Sequence, residues 1–282
     1  MIRPHVCSVL VVGALALASM AARAADDSPP GHASVSAGFD YSTGKYGTDV
    51  DTRIWDVPFT VGYDTDRWSL KLVVPYIHVS GSNNVIPGAG RVDNGNPIGR
   101  GLGRLLGQPG GTPPPTAETS GSASGLGDVV AQATYHLYTN DASRFGVDVG
   151  GRIKFATADE DKGLGTGQND YGVNLDLYKG IGAWTLFGGA GYTDYGSSAF
   201  IRLHNGANAN VGANYKVGGN DTVGGYYYYR EKISDSGYAQ DEASLFWNHR
   251  FDTAWRLQTY VLTGFSKGSP DWGAGASLKY TF

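Results

Sequence analysis

The chain has 282 residues, of which 43 are glycine, 22 are lysine or arginine and 26 are aspartate or glutamate. The net charge of −4 comes with no basic stripe, which excludes nucleic acid as a partner because a phosphate backbone requires clustered cations. The many glycines favour a sheet with tight turns over long helices.

Residues 1–24 have the pattern of a secretory signal peptide. Arg3 supplies a positive charge, residues 6–18 are nearly all apolar, and residues 22–24 fit a small-x-small cleavage site. The apolar run is shorter than the roughly 20 residues that a membrane-spanning helix needs. We therefore predict cleavage after Ala24. The mature chain, 25–282, then lacks the only cysteine, Cys7, so it has neither a disulfide nor a thiol nucleophile.

Twelve segments of the mature chain alternate between apolar and polar residues with the period of a strand. Each has about the 9 to 11 residues, or slightly more, that a tilted strand needs to cross a bilayer. In three of them a ring, Phe187, Tyr226 or Tyr260, interrupts the polar face. The segments are 32–41, 52–63, 68–79, 127–138, 145–157, 169–179, 184–195, 207–217, 221–232, 241–251, 255–265 and 272–282.

A soluble sandwich shows the same alternation, so the connection lengths must distinguish the two architectures. Along the chain, each long connection is followed by a shorter one. Outer-membrane barrels have this asymmetry, with long outward loops and short periplasmic turns. We therefore predict an all-β fold, a 12-stranded antiparallel transmembrane β-barrel of the Gram-negative outer membrane, with both termini periplasmic.

The aromatic residues agree with this prediction. Trp68, Phe145, Trp184 and Trp255 directly follow short turns, and Tyr63, Phe251 and Phe282 close strands that descend to the same side. This set predicts a girdle at one membrane interface. The terminal alternation of Leu278, Tyr280 and Phe282 resembles the signal read by the outer-membrane barrel assembly machinery. Burial of Phe282 in a soluble core is the alternative.

The connection 80–126 is long, aperiodic and rich in glycine and proline. A structureless connection of this length is uncommon unless it is functional or disordered. We expect a long extracellular loop, whose most compact apolar and basic residues fold inward as a constriction: Arg100, Arg104, Leu105 and Leu106. Disorder outside the cell surface is the alternative.

An enzyme is not expected. Hydrolytic chemistry needs a serine beside a histidine that a third polar group orients. His136 faces the predicted lumen with Asp148 as its cross-strand neighbour, but no serine is expected at the matching height. The glycine-rich segment 163–167 lacks the strand-to-helix context of a phosphate loop and is interpreted as a flexible loop. Residues 159–161 are acidic, and a solvated loop explains them better than a cation site. No catalytic residue, metal or cofactor is predicted.

The predicted lumen therefore carries the function. Its mixed charges favour small polar or amphipathic solutes, although they would also neutralise one another in a narrow barrel. Its tyrosines suit an aromatic guest or simply fill space. The lumen-lining candidates are Gln132, Thr134, His136, Asp148, Arg152, Lys154, Asn174, Asp176, Asn214, Lys216, Tyr226, Tyr228, Arg230, Asn248 and Lys279.

Two stretches, Ser124 to Tyr138 and Arg152 to Gly196, resemble the outer-membrane transporter family named for the meta-pathway of phenol degradation. The resemblance implies a channel or transporter that passes small organic solutes, aromatic or hydrophobic ones included, into the periplasm. Expected partners are these solutes, outer-membrane lipids and lipopolysaccharide. The alternative is a non-conducting barrel with a structural or surface-binding role through its long loops.

Overall fold

The computed structural model describes residues 31–95 and 120–282, and the predicted signal peptide lies outside these ranges. The strands are β1 (His32–Gly44), β2 (Thr52–Asp64), β3 (Trp68–Ser82), β4 (Val85–Ile86), β5 (Gly90–Arg91), β6 (Ser120–Leu126), β7 (Val129–Asn140), β8 (Phe145–Phe155), β9 (Asp170–Ile181), β10 (Trp184–Asp194), β11 (Gly206–Val217), β12 (Asp221–Arg230), β13 (Gln240–Arg250), β14 (Trp255–Gly264) and β15 (Trp272–Thr281). None of the described residues belongs to a helix long and apolar enough to cross a membrane.

The strands form a closed antiparallel barrel of twelve positions. Strands in neighbouring positions pair in chain order around the ring. β6 and β7 share one position and both pair with β3, and β4 and β5 form a separate hairpin. The ring closes where β1 pairs with β15, from Ser34↔Thr281 to Thr43↔Trp272. The predicted all-β fold with a closed antiparallel barrel of twelve strands is thus confirmed.

The connections also confirm the predicted alternation of lengths. One end of the barrel, the short-turn end, has the connections 65–67, 141–144, 182–183, 218–220 and 251–254. The other end, the long-loop end, has the connections 45–51, 83–119, 156–169, 195–205, 231–239 and 265–271.

The prediction for residues 80–126 was partly wrong. Strand β3 continues to Ser82, and β6 adds a second strand before the predicted segment 127–138. In β6 the exposed positions are three serines and Leu126, whereas the shielded positions are glycines and an alanine. The two faces of β6 therefore differ little in polarity, so periodicity could not reveal the strand. Gly125 has no room for a larger residue, because an added Cβ would lie 2.9 Å from Leu164 Cδ1.

The outer face of the barrel is apolar, as hydrocarbon requires. In β9, Val173, Leu175 and Leu177 are exposed, with Val173 at 64%, while Asn174 and Asp176 between them are shielded. Soluble proteins rarely expose contiguous apolar surface of this kind. The inner face is therefore the polar one, as in outer-membrane barrels.

Aromatic side chains ring the outer face at the short-turn end. Three tryptophans, each the first residue of its strand, pack against a tyrosine directly opposite, with ring centroids 4.9 Å apart in every case: Trp68–Tyr135, Trp184–Tyr215 and Trp255–Tyr280. Phe282 is 69% exposed and meets Tyr280 edge-on. Phe282 therefore does not fill a soluble core.

Glycines on the inner face make room for the rings that interrupted the predicted polar face. Phe187 and Tyr226 are both cross-strand partners of Gly212, and Tyr260 is the partner of Gly275. A Cβ added at either glycine would overlap the facing ring or its Cβ. Each ring thus lies over the neighbouring strand, which explains part of the high glycine content.

We predict that Gly224→Ala destabilises the barrel more than Gly225→Ala does. A Cβ at the inward Gly224 would overlap the Phe246 ring and lie 2.7 Å from a backbone oxygen, whereas at the outward Gly225 it would lie 3.0 Å from Leu245 Cδ2 and 3.1 Å from a backbone oxygen. Overpacking costs about 1–3 kcal/mol. Denaturant unfolding of the refolded variants checks this, and equal stabilities would contradict the close packing of Phe246.

Candidate functional site in the barrel lumen

The structure places the lumen candidates on the inner face by their alternation with exposed outer residues. All are buried or partly buried except Lys216, which is exposed at the short-turn end. Arg230 is the most buried cation among them, with 5% of its surface exposed.

A hairpin formed by β4 and β5, residues 83–95, lies in the mouth at the long-loop end. Its apolar residues Val85, Ile86 and Val92 are fully buried. Gly88 and Gly90 adopt positive φ angles of 77° and 85°, a conformation that favours glycine. The hairpin is therefore a folded part of the mouth.

Arg230 attaches the hairpin to the barrel wall. Its Nη1 donates to the Gly88 carbonyl at 2.7 Å, and its Nη2 donates to the Ala89 carbonyl at 2.8 Å. The hairpin leaves the wall at the end of β3, and β12, which carries Arg230, lies six strands away around the twelve-strand ring. A segment that starts at β3 and binds β12 must cross the lumen.

Further hydrogen bonds attach the hairpin to three long loops. Arg91 donates to the Gly47 carbonyl, Ser234 Oγ donates to the Arg91 carbonyl at 2.6 Å, and the Gly95 amide donates to the Phe200 carbonyl at 2.9 Å. The apolar contacts follow the same pattern. The cluster around the hairpin consists of Ile86, Ala89, Val92, Tyr195, Ile201, Leu203 and Ile233.

The predicted constriction residues Arg100, Arg104, Leu105 and Leu106 lie outside the described residues. Within the described residues, a different part of the same connection, the 83–95 hairpin, crosses the mouth. The dipeptide Pro87-Gly88 between apolar residues was the available sequence signal, since this dipeptide marks turns. Two-residue strands are too short to show a period.

A second loop, 156–169, is fixed at the mouth by Lys154. The Lys154 ammonium lies 2.9 Å from Asp128 Oδ2 and 3.0 Å from Asp170 Oδ2, and it donates to Thr166 Oγ1 at 3.0 Å. Leu164 in this loop is buried against the inward Ile77 and Val79 of β3. The interpretation of residues 163–167 as a flexible loop was therefore wrong, because Leu164 fills apolar space inside the barrel.

The acidic residues at the start of this loop are solvated or paired. Lys162 lies 2.9 Å from Asp159, and its hydrogen bond holds the pKa of Asp159 below the usual value. No group of three potential metal-ligating side chains occurs in the described ranges.

His136 and Asp148 are in contact, with His136 Nδ1 2.9 Å from Asp148 Oδ1. The expectation that no serine lies at this height was wrong, since Ser69 Oγ is 3.3 Å from His136 Nε2. Acyl transfer would also need donors for an oxyanion. Ser69 lies within the ladders to both β2 and β7, so its strand backbone already has partners. We interpret the chain of contacts as a polar link across β3, β7 and β8.

Inward rings form the middle of the lumen. Tyr226 and Tyr228 face inward, while Tyr227 and Tyr229 are exposed outside, as the alternation required. Tyr260 Oη donates to Asp40 Oδ1 at 2.5 Å. The sequence placed Tyr260 on the polar face, but its contact with Asp40 was not predicted, because the two residues meet only through the closure of β1 on β15.

The sequence matches the protein family described as "Putative MetA-pathway of phenol degradation" over residues 26–282. The chain belongs to this family. The match extends the resemblance seen at residues 124–196 to nearly the whole chain. No curated protein matches the sequence.

An outer membrane channel and a porin are among the solved structures similar to this family member. An outer membrane channel from Pseudomonas putida F1 has a TM-score of 0.64 and 15% identity, with 90% of this chain and 96% of that chain covered. A KdgM porin has a TM-score of 0.50 and 12% identity, with 88% and 99% covered. At these identities the likeness concerns the fold.

We predict that Lys154→Met strongly destabilises the long-loop end, whereas Lys162→Met has no measurable effect. Removing Lys154 leaves two buried carboxylates without their shared cation, and breaking a buried pair costs about 3–5 kcal/mol. Lys162 is exposed, so its pair with Asp159 contributes little. Limited proteolysis within 156–169 and denaturant unfolding measure the effect. Equal behaviour of the two variants would contradict it.

Proposed function

We propose that this protein is an outer-membrane channel whose outward mouth is closed by the 83–95 hairpin, and that it passes small organic solutes into the periplasm. The hairpin that crosses the lumen from β3 to Arg230 on β12 is the observation that carries the proposal. Family membership and the mixed polar and aromatic lumen support aromatic or hydrophobic solutes.

The proposed orientation places the short-turn end in the periplasm and the long-loop end outside. Both termini then face the periplasm, as expected for a chain exported by a cleaved signal peptide at residues 1–24. The three Trp–Tyr pairs would contact the inner leaflet, and the long loops would contact lipopolysaccharide. The barrel assembly machinery is the proposed partner during insertion.

An enzymatic role is not part of this proposal. Among the described residues, the Ser69–His136–Asp148 contacts are the arrangement that approaches a hydrolytic triad. The backbone around Ser69 is already paired in the ladders to β2 and β7, which argues against an oxyanion site there. Transport needs only a path and a means of opening it.

The closed mouth is the stable state on energetic grounds. Full burial of an aliphatic side chain contributes about 1.5–3 kcal/mol, and Val85, Ile86 and Val92 are all fully buried. Each hydrogen bond from the Arg230 guanidinium adds about 1.5–3 kcal/mol, since the donor is charged. Opening is therefore expected as an infrequent event that a solute or a variant makes more frequent.

A disulfide lock tests the hairpin as a gate. An added Cβ at Gly95 lies 3.9 Å from Phe200 Cα, so the pair Gly95→Cys with Phe200→Cys is close to disulfide geometry. We expect the oxidised variant to show fewer openings in planar bilayers than the wild type, and reduction to restore them. Conductance that is independent of the redox state would show that the hairpin does not gate the lumen.

Arg230→Ala provides the opposite perturbation. Loss of both hydrogen bonds to the hairpin should raise the opening frequency about tenfold or more. Arg202→Ala, which removes an exposed arginine at the same end, is the matched control.

The buried hairpin also favours the second candidate function, a non-conducting barrel that acts through its loops. In that case Arg230→Ala and the reduced cysteine variant would both stay closed. Excision of residues 83–119 would then also leave conductance unchanged in a folded barrel. The same recordings therefore separate the two functions.

We predict that deleting Phe282 lowers the amount of assembled protein far more than Phe282→Tyr. Phe282 is an exposed outer ring, and its amide donates to the Ala33 carbonyl at 2.9 Å beside the closing seam. The tyrosine variant keeps both the ring and this hydrogen bond. Heat-modifiable gel mobility of outer-membrane fractions measures assembly, and equal levels would refute an assembly role for the terminal ring.

A further inference from the structure

Three cations lie side by side on the inner face at the short-turn end. Arg250 is the cross-strand partner of Arg256, and Arg256 is the partner of Lys279. Their outward chain neighbours Phe251 and Trp255 are exposed, which places the three cations on the inner face. Like charges directly opposite one another destabilise a sheet, so this row needs a compensating anion. We call the three residues the basic row.

Other groups of the protein neutralise or hydrogen-bond only some of the cations in the basic row. Lys279 lies 3.6 Å from Asp64, and Arg250 donates to the neutral Gly219 carbonyl at 3.1 Å. Arg256 Nε is buried and has no hydrogen-bond partner in the described part of the chain. The Nε atoms of Arg91 and Arg230 are in the same state, so the adjacent like charges of the basic row, and not this one donor, are what a bound anion would offset.

Two acidic groups of the lumen stand on the wall opposite the basic row. Asp148 and Asp176 are direct partners on β8 and β9, six strands away from β14 and β15 around the ring. Asp64 lies beside the basic row and Asp40 accepts from Tyr260, so the charges are only partly separated between the facing walls. Such an arrangement produces a field across the lumen that draws an anionic group toward the basic row.

On the same three strands, the inward residues change from charged to neutral polar to aromatic with distance from the short-turn end. Directly above the basic row lie Asn248, Gln258 and Ser277, which are mutual cross-strand partners and neutral hydrogen-bonding groups. The next inward row holds Phe246 and Tyr260. Successive inward residues are about 6.6 Å apart, so the rings start about 13 Å above the basic row in backbone position. The long arginine side chain shortens this gap.

We propose that the basic row and the rings above it form a binding site for a small aromatic carboxylate, with the carboxylate on Arg256 and the ring beside Phe246 and Tyr260. An arginine guanidinium matches a carboxylate with two parallel hydrogen bonds. This inference rests on the proposed channel function, since it names the class of solute that the lumen takes up.

Equilibrium binding to the refolded full chain in detergent micelles tests the site without requiring conduction. The probes are 3-phenylpropionate and its neutral analogue 3-phenylpropanamide, measured by calorimetry. We expect the acid to bind the wild type about tenfold more tightly than the amide, because one charged hydrogen-bonded pair contributes roughly that difference in affinity. Arg256→Gln should remove this preference and leave amide binding unchanged.

Lys71→Gln is the matched control, because it removes one inward cation from β3, away from the basic row. It should keep most of the preference for the acid. Equal binding of acid and amide by the wild type would overturn the proposal. So would an Arg256→Gln effect of equal size on both probes, or a Lys71→Gln effect as large as that of Arg256→Gln.

The binding and conductance measurements distinguish failure of this site from failure of the channel function. Preferential acid binding by a barrel that never conducts would retain the site and reject the channel. A conducting barrel without the preference would retain the channel and overturn the site.

Discussion

The seam between β1 and β15 is the constraint on which the rest of the structure depends. In hydrocarbon no water is present to satisfy exposed backbone groups, so every strand must have a neighbour on both sides. Ten consecutive residue pairs, from Ser34↔Thr281 to Thr43↔Trp272, provide the last of these ladders. Closure then gives every strand one face toward the lipid and one face toward the lumen. It also brings Asp40 and Tyr260 within hydrogen-bond distance, although they are distant in sequence.

Closure with twelve strands encloses a limited space, and the inner side chains are arranged accordingly. Phe187, Phe246 and Tyr260 each face a glycine on the adjacent strand, so their rings lie over the wall instead of across the lumen. The mouth is different, because the hairpin and Leu164 occupy it with aliphatic side chains. The inner rings thus lie along the wall, whereas side chains fill the lumen at the long-loop end.

The strands were predictable because the contrast between lipid and water imposes a period on the sequence. This contrast fails where both faces carry small residues, as in β6, and where a strand has only two residues, as in β4. Single lumen residues were predictable from alternation, but their contacts were not. The approach of Ser69 to His136 depends on the register between β3 and β7, and a bulge between His136 and Tyr138 shifts the pairing of β7 with β8. No local sequence pattern encodes such a register.

The two ends of the lumen differ in how their cations are satisfied, and this difference separates structural from binding roles. At the long-loop end, Arg230 meets carbonyl oxygens and Lys154 meets two carboxylates, so both cations hold the protein together. At the short-turn end, Arg250, Arg256 and Lys279 lie side by side as cross-strand partners, and Asp64 lies 3.6 Å from Lys279. In the proposed channel a solute would therefore pass apolar surface at the hairpin first and reach the basic row last. That order favours amphipathic solutes over simple ions, because the aliphatic mouth offers an ion nothing in exchange for its hydration shell.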